Sequence, residues 1–219
     1  MNQKGMEGQS SLSHEITEIL RERIINGEYK MGERLIESKL AREMCVSRTP
    51  VRDALKQLSE EQLVEGKAGK GWRAKGFSRK DMIDIYEVRK AVERLAILWV
   101  IENAKEEDIE ALKQQLDLMG FYTNQNSYAK LLVANEEFHN MVYRMTGSRF
   151  IVQVLKSYQD YVHIARMTTL KKETNLPDIY KEHEEIYRCI RDKDIERGLK
   201  AVDVHLDNSC KRAQERWKE

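Results

Sequence analysis

Three histidines in the second half of the chain stand in a pattern that could bind a metal ion. Asn135 and His139 are four residues apart, so both side chains project from one face of a helix. His183 and His205 lie in the middle of two further segments with helical spacing. Three imidazoles and one side-chain oxygen from three helices can hold a divalent cation inside a helical bundle. We therefore predict a metal site at Asn135, His139, His183 and His205, with zinc as the first expectation and nickel or manganese as alternatives.

Six helices are predicted to position these residues. Only two prolines occur in 219 residues, Pro50 and Pro177, and scarce proline favours helix almost throughout. Apolar residues recur at helical spacing from Ser78 to the end of the chain, which predicts an all-helical antiparallel bundle over residues 78–219. The predicted helices span residues 79–103, 106–119, 126–146, 148–170, 178–192 and 194–217.

The first third of the chain has a different pattern, which predicts a small mixed domain over residues 12–76, preceded by a flexible arm at 1–11. Ser13 and Ser47 each precede a helical pattern, and a serine hydroxyl commonly caps a helix start. Glycines between two short strand patterns predict a β-hairpin. The predicted elements are helices 13–25, 38–44 and a third that begins at Ser47, then strands 63–65 and 72–74.

Basic residues concentrate in this mixed domain, although the whole chain has a formal net charge of only +1. Residues 66–80 contain six lysines and arginines and no acid. Two short helices, a tight turn and a basic hairpin describe a winged helix-turn-helix that binds DNA. Arg48 and Arg52 share one helix face, and arginine can bind guanine through its planar fork. Ser47 and Thr49 can donate hydroxyl hydrogens to phosphate.

The stretch Val-Ser-Arg-Thr-Pro-Val-Arg at 46–52, within a longer match over about 12–76, resembles the N-terminal domain of GntR-family regulators. Cys45 and Gln62 stand at two positions where that family usually has glycine. The resemblance implies DNA-contacting roles for Ser38, Ser47, Arg48, Thr49 and Arg52, and places Gly69 and Lys70 at the tip of the wing.

A second resemblance, to the FCD ligand-binding domain of the FadR branch of that family, covers about residues 78–215. Six predicted helices make it similar to the shorter, VanR-like version. In metal-binding members an Asp or Asn and three His bind the ion, so the resemblance assigns that role to the four residues above. The matching motifs are Ile85-Tyr-Glu-Val-Arg89 with Glu93, Asn135-Glu-Glu-Phe-His139, Glu182-His183-Glu-Glu-Ile186 and Val204-His205-Leu206.

Effectors of this branch are typically small organic acids bound at the metal, so the resemblance also implies a cation that binds a carboxylate. Arg89 is the first candidate, because guanidinium pairs with carboxylate through two hydrogen bonds. The alternative is that Arg89 forms a salt bridge with Glu93 on the next turn. Arg144 and Arg166 are further candidates, although Arg144 lies five residues after His139 and therefore not quite on the same face.

These observations together predict a ligand-responsive DNA-binding regulator, and the resemblance favours a repressor. Proteins of this type usually bind palindromic double-stranded DNA as homodimers. The alternative is a metal-dependent hydrolase with an accessory nucleic-acid-binding domain, but the sequence has no HExxH-type motif that would supply a general base. No run of eighteen apolar residues and no apolar signal segment occurs, so we expect a cytoplasmic protein that does not enter a membrane.

Overall fold

The computed structural model describes residues 3–67, 71–169 and 176–214, apart from the side chains of 3–11, 67, 160 and 163–169. The chain divides into two compact units, Met1–Ser78 and Arg79–Glu219. The elements of the first unit are α1 (Gln3–Ile25), β1 (Arg34–Leu35), α2 (Glu37–Glu43), α3 (Arg48–Glu60), β2 (Val64–Lys67) and β3 (Gly71–Ala74). The elements of the second are α4 (Arg79–Asn103), α5 (Glu106–Asn124), α6 (Tyr128–Met145), α7 (Arg149–Thr169), α8 (Leu176–Asp192) and α9 (Ile195–Gln214).

The first unit is a winged helix-turn-helix, as the sequence predicted. Ile16, Leu20 and Ile24 recur every fourth residue along α1, so they form one buried face, which packs on the buried face of α3. The three strands form an antiparallel sheet in the order β1-β3-β2, in which Leu35 and Gly66 both pair with Trp72. A Cβ at Gly66 would lie 2.6 Å from the Trp72 ring, so this position needs glycine for the two strands to pair.

Two predicted helix caps are wrong. α1 begins at Gln3, so it includes most of the predicted arm and passes through Ser13. The Ser13 hydroxyl instead donates to the carbonyl of Pro50 at 3.4 Å. Ser47 does occupy the N-cap position of α3 with extended backbone, but its hydroxyl makes no cap hydrogen bond.

The two positions where glycine was expected both have left-handed backbone. Cys45, in the turn between α2 and α3, has φ of 56°, and Gln62, between α3 and β2, has φ of 63°. Residues other than glycine are disfavoured there because Cβ approaches the following carbonyl. The turn geometry therefore keeps the conformation that glycine would allow, despite the larger side chains.

The second unit is the predicted all-helical bundle. α9 packs against both α4 and α8, and a two-residue connection makes α8 and α9 antiparallel neighbours. A Cβ at Gly198 would lie 2.5 Å from Cδ1 of Ile101, so this glycine allows α9 to approach α4 closely. Among the described residues, no helix is long and apolar enough to cross a membrane.

Candidate metal centre and DNA-binding surface

His139 on α6, His183 on α8 and His205 on α9 meet in the interior of the helical unit. All three side chains are buried, and their candidate ligand nitrogens all lie within 4.8 Å of one another. Nε2 of His139 and Nε2 of His183 are 3.2 Å apart. The structure therefore brings together the three histidines that the sequence assigned to one metal ion.

The other nitrogen of two of these rings has an acceptor beside it. Nδ1 of His183 lies 2.7 Å from the carbonyl oxygen of Ile179, and Nδ1 of His205 lies 2.9 Å from Oε2 of Glu182. Such acceptors place the proton on Nδ1 and leave the lone pair on Nε2. Two Nε2 lone pairs in contact repel each other unless a proton or a cation lies between them, so the donor set fits a metal ion.

Glu182 also binds two other side chains on α9. Arg212 donates to both of its carboxylate oxygens at 2.9 and 2.8 Å, and Asn208 donates to one at 2.9 Å. Burial raises the pKa of Glu182, but the hydrogen bonds from His205 and Arg212 outweigh it and lower the pKa to about 2. The carboxylate therefore stays ionised while it orients His205.

Asn135, the fourth predicted ligand, is buried one turn before His139 on the same face of α6. It lines a narrow cavity together with His205. The histidine cluster thus has one side that faces a cavity. The described lining consists of Tyr86, Tyr128, Leu131, Leu132, Asn135, Leu176, Ile179, His205, Ser209, Arg212 and Ala213.

Arg89 forms the salt bridge with Glu93 that the sequence left as an alternative. Its Nε and Nη2 donate to Oε1 of Glu93 at 3.0 and 2.5 Å, and the hydroxyl of Tyr143 donates to the same oxygen at 2.9 Å. Burial and Glu93 raise the pKa of Tyr143 well above its usual value, so it stays a donor. Nη1 of Arg89 and the hydroxyl of Tyr86 are buried and have no hydrogen-bond partner in the described part of the chain.

The structure places Arg144 away from the histidine cavity. Its side chain is exposed, pairs with Glu137 at 2.6 Å, and borders a different depression together with Met141 and Gly147. The physical reason is the five-residue step from His139, which carries Arg144 to another face of α6. The side chain of Arg166, on α7, lies outside the described residues.

Arg48 and Arg52 project from the exposed face of α3, and both bind Glu37 at the start of α2. The closest approaches to Glu37 are 3.3 Å from Arg48 and 2.9 Å from Arg52, and Nε1 of Trp72 on β3 donates to Glu37 at 3.1 Å. The hydrogen bond from Arg52, then those from Trp72 and Arg48, lower the pKa of Glu37 to about 2. One carboxylate thus links both helices of the helix-turn-helix and the wing.

The remaining predicted DNA contacts divide into two groups. Ser38, Ser47 and Thr49 are exposed, and Ser38 borders one cleft with Arg48 and Arg52. Gly69 and Lys70, predicted at the tip of the wing, lie outside the described residues.

Sequence reasoning missed four residues of these sites: Glu37, Tyr86, Glu182 and Arg212. Glu182 was named only within the motif around His183, and Glu37 was not named at all. Their roles depend on contacts between helices, which helical spacing along one segment does not show. Of the four, Tyr86 could have been found from the sequence, because it lies within the Ile85–Arg89 motif.

A winged helix-turn-helix with exposed arginines, joined in one chain to a helical unit with a buried histidine cluster, defines a transcription regulator with a sensory domain. Residues 12–73 match the bacterial regulatory proteins of the gntR family, and residues 84–208 match the FCD domain. The chain belongs to the GntR family and carries an FCD domain. It is accordingly a ligand-responsive DNA-binding regulator and not an enzyme.

Similar proteins cover both units. The HTH-type transcriptional regulator YdhC of Bacillus subtilis is 28% identical over 192 residues, which are 87% of this chain and 86% of that protein. The gluconate operon transcriptional repressor of Bacillus licheniformis is 26% identical over 90% of this chain and 83% of its own length. The structure of Escherichia coli McbR/YncC has the same fold, with a TM-score of 0.71 at 16% identity over 94% of this chain and 98% of that one.

Proposed function

We propose that this chain is a cytoplasmic repressor that binds a palindromic operator as a homodimer and changes that binding when a small carboxylate reaches a metal in the FCD domain. The observation that carries the proposal is the buried cluster of His139, His183 and His205 beside a cavity. The repressor assignment is supported by the name of the Bacillus licheniformis relative.

Asn135, His139, His183 and His205 are the residues that would hold the metal. A bound divalent cation supplies positive charge and free coordination positions for an anionic ligand. Three neutral imidazoles and one amide leave that charge uncompensated, so an anion is the expected additional ligand. Zinc is the first candidate, because it favours imidazole ligands; nickel and manganese are alternatives.

The protein itself offers donors for the carboxylate. Tyr86 lines the cavity, and its hydroxyl has no hydrogen-bond partner in the described part of the chain. Nη1 of the neighbouring Arg89 is likewise buried and has no partner there. Arg89 is held in place by Glu93, and Tyr86 lies against it, with the guanidinium carbon 5.2 Å from the ring centre. A buried donor without a partner costs free energy, which an acid would recover by accepting its hydrogen.

Arg48 and Arg52 are the proposed base-reading residues of α3, and Ser38, Ser47 and Thr49 the proposed phosphate contacts beside them. Two such helices about one helical turn of DNA apart would read a palindrome, which is why we propose a homodimer. Gly69 and Lys70 are proposed to contact DNA from the wing.

The metal is tested by elemental analysis of purified protein and of the single variants His183→Ala and His205→Ala at equal protein concentration. We expect about one metal ion per chain in the wild type and a clear loss in both variants. The matched control is His14→Ala, because this exposed histidine lies in the other unit. Full occupancy in both cavity variants would exclude the site.

DNA binding is tested on a fragment of the promoter region, at fixed salt, with Arg48→Ala, Arg52→Ala and the control Lys56→Ala on the same helix. Each base-reading arginine should contribute about 1–3 kcal/mol, and its loss should relax specificity at one position. An acid that is the effector should change operator affinity roughly 5–150-fold, and DNA should change affinity for the acid by the same factor. Unchanged affinity in both arginine variants would contradict the assignment of α3.

A further inference from the structure

We infer that the effector is a monocarboxylic acid with an apolar body of about four to six carbon atoms, and not a sugar acid or a dicarboxylic acid. This inference rests on the proposed function, because it names the ligand class of the same cavity. It comes from the order in which side chains line the cavity along three helices.

The lining changes character with distance from the histidines. One turn from the cluster lie Asn135 before His139, Ile179 before His183 and Ser209 after His205, each four residues from its histidine. A step of four residues along a helix advances about 6 Å. This first layer therefore contains Asn135, which is the proposed amide ligand of the metal, and Ser209, a polar side chain that can orient a carboxylate held there.

The next layer is mainly apolar. Three or four residues farther along the same helices, the cavity is bordered by Leu131 and Leu132 on α6, Leu176 on α8 and Ala213 on α9. These four side chains are buried, and the Tyr128 ring borders the cavity another turn away. The part of a ligand that points away from the histidines would contact aliphatic carbon and an aromatic ring.

Arg212 is the cation that borders this layer, but its charge is already matched. Its guanidinium donates to both oxygens of Glu182, and also to the Ser209 hydroxyl at 3.1 Å. A second carboxylate here would have to compete with Glu182 for the same hydrogens. Some hydroxyl groups of a sugar acid would be buried against Leu131 and Leu176, whose aliphatic side chains offer no hydrogen-bond partner, and such burial is unfavourable.

The length of the ligand's apolar body follows from the spacing of the lining residues along the helices. The apolar layer begins about 6 Å beyond the histidines and ends about 12 Å beyond them, by the rise of an α-helix. An extended chain advances about 1.2 Å for each bond. A chain of four to six carbons beyond the carboxylate therefore advances about 5–7 Å, which carries it through the polar layer and into the apolar one.

The experiment is calorimetric titration of the zinc-loaded full-length protein with acetate, hexanoate, adipate and gluconate. Hexanoate, adipate and gluconate have six carbons each and differ in a second carboxylate or in hydroxyl groups. Each buried methylene should strengthen binding about fourfold, so we expect hexanoate to bind at least ~10-fold more tightly than acetate. Adipate and gluconate should bind no more tightly than acetate.

Two variants test whether the apolar layer causes the preference for hexanoate. Ala213→Leu fills the apolar layer, so it should abolish most of the advantage of hexanoate over acetate. Leu132→Ala is the second variant, which should lower hexanoate affinity severalfold by removing apolar contacts. Val204→Leu, at an exposed position of α9, is the control and should change neither acid.

The outcomes separate the two proposals. If acetate binds and hexanoate binds no more tightly, or if adipate or gluconate binds more tightly than hexanoate, the inference is wrong and the carboxylate sensor stands. If no acid binds the zinc-loaded protein, the proposed function itself fails, and the inference with it.

Discussion

The carboxylate of Glu182 and the imidazole of His205 form a buried pair, with Oε2 of Glu182 2.9 Å from Nδ1 of His205. The acceptor fixes the ring orientation and places the proton on Nδ1, so that Nε2 faces the other two histidines. An ionised carboxylate in this position also makes the opposite nitrogen a stronger base. The pair thus orients Nε2 of His205 as the proposed metal site requires.

Replacing this carboxylate by an amide should weaken the metal site. In Glu182→Gln the negative charge is lost and the new amide group faces Arg212, so His205 is oriented less firmly. We expect zinc affinity to fall about 10- to 100-fold, the range typical of residues that orient a ligand. The measurement is competition for zinc against a chelating dye.

Glu184→Gln is the matched control, because Glu184 is on the same helix but pairs with Arg188 at 2.9 Å. Its zinc affinity should equal that of the wild type. Equal zinc affinity in Glu182→Gln and the wild type would contradict a role for Glu182 in orienting His205.

Acid should remove the contribution of Glu37 to stability. The contacts with Arg52, Trp72 and Arg48 lower the pKa of Glu37 from 4.5 to about 2 in the folded protein. A carboxyl group whose pKa is lower in the folded state stabilises the protein when the pH is above the pKa of that group in the unfolded chain. This contribution is lost as the pH falls toward the pKa in the folded protein. Urea unfolding should therefore show Glu37→Gln to be less stable than the wild type at pH 7, and the difference should shrink between pH 4.5 and 2.

Asp53→Asn is the control for this prediction, because Asp53 lies on the same unit and pairs only at the surface with Lys56. Its stability difference from the wild type should be small at every pH. A Glu37→Gln difference that stays constant between pH 7 and 3 would show that Glu37 does not titrate as the contacts require.

Helix positions were largely predictable because they follow from the repeat of apolar residues. The predicted bundle helices 79–103 and 148–170 correspond to α4 and α7 within one residue at each end. The histidine cluster was predictable for the same reason, since a ligand in the middle of a buried helix face must point into the core. The polar partners of these sites were not predictable from one segment. The partners of Glu182 lie 23 to 30 residues away, and those of Glu37 lie 11 to 35 residues away.

Left-handed backbone at Cys45 gives a prediction about stability. Replacing Cys45 by glycine removes the Cβ that is unfavourable at φ of 56°, which should stabilise the folded unit by about 1 kcal/mol. Cys45 is exposed, so little packing is lost. The control Cys45→Ala keeps the Cβ and should not gain that stability. Denaturant midpoints of the two variants measure the difference, and equal midpoints would contradict backbone strain as the cause.

The last prediction separates the two roles of Arg89. Removing one member of a buried ion pair leaves an unmatched charge, so Arg89→Met should destabilise the protein by about 3–5 kcal/mol. The double variant Arg89→Met/Glu93→Leu removes both charges, and most of that stability should return. If Nη1 of Arg89 also binds the effector, the double variant should fold and retain zinc but bind hexanoate at least tenfold more weakly. Wild-type hexanoate affinity in the folded double variant would assign Arg89 a structural role alone and leave the Tyr86 hydroxyl as the donor, to be tested with Tyr86→Phe.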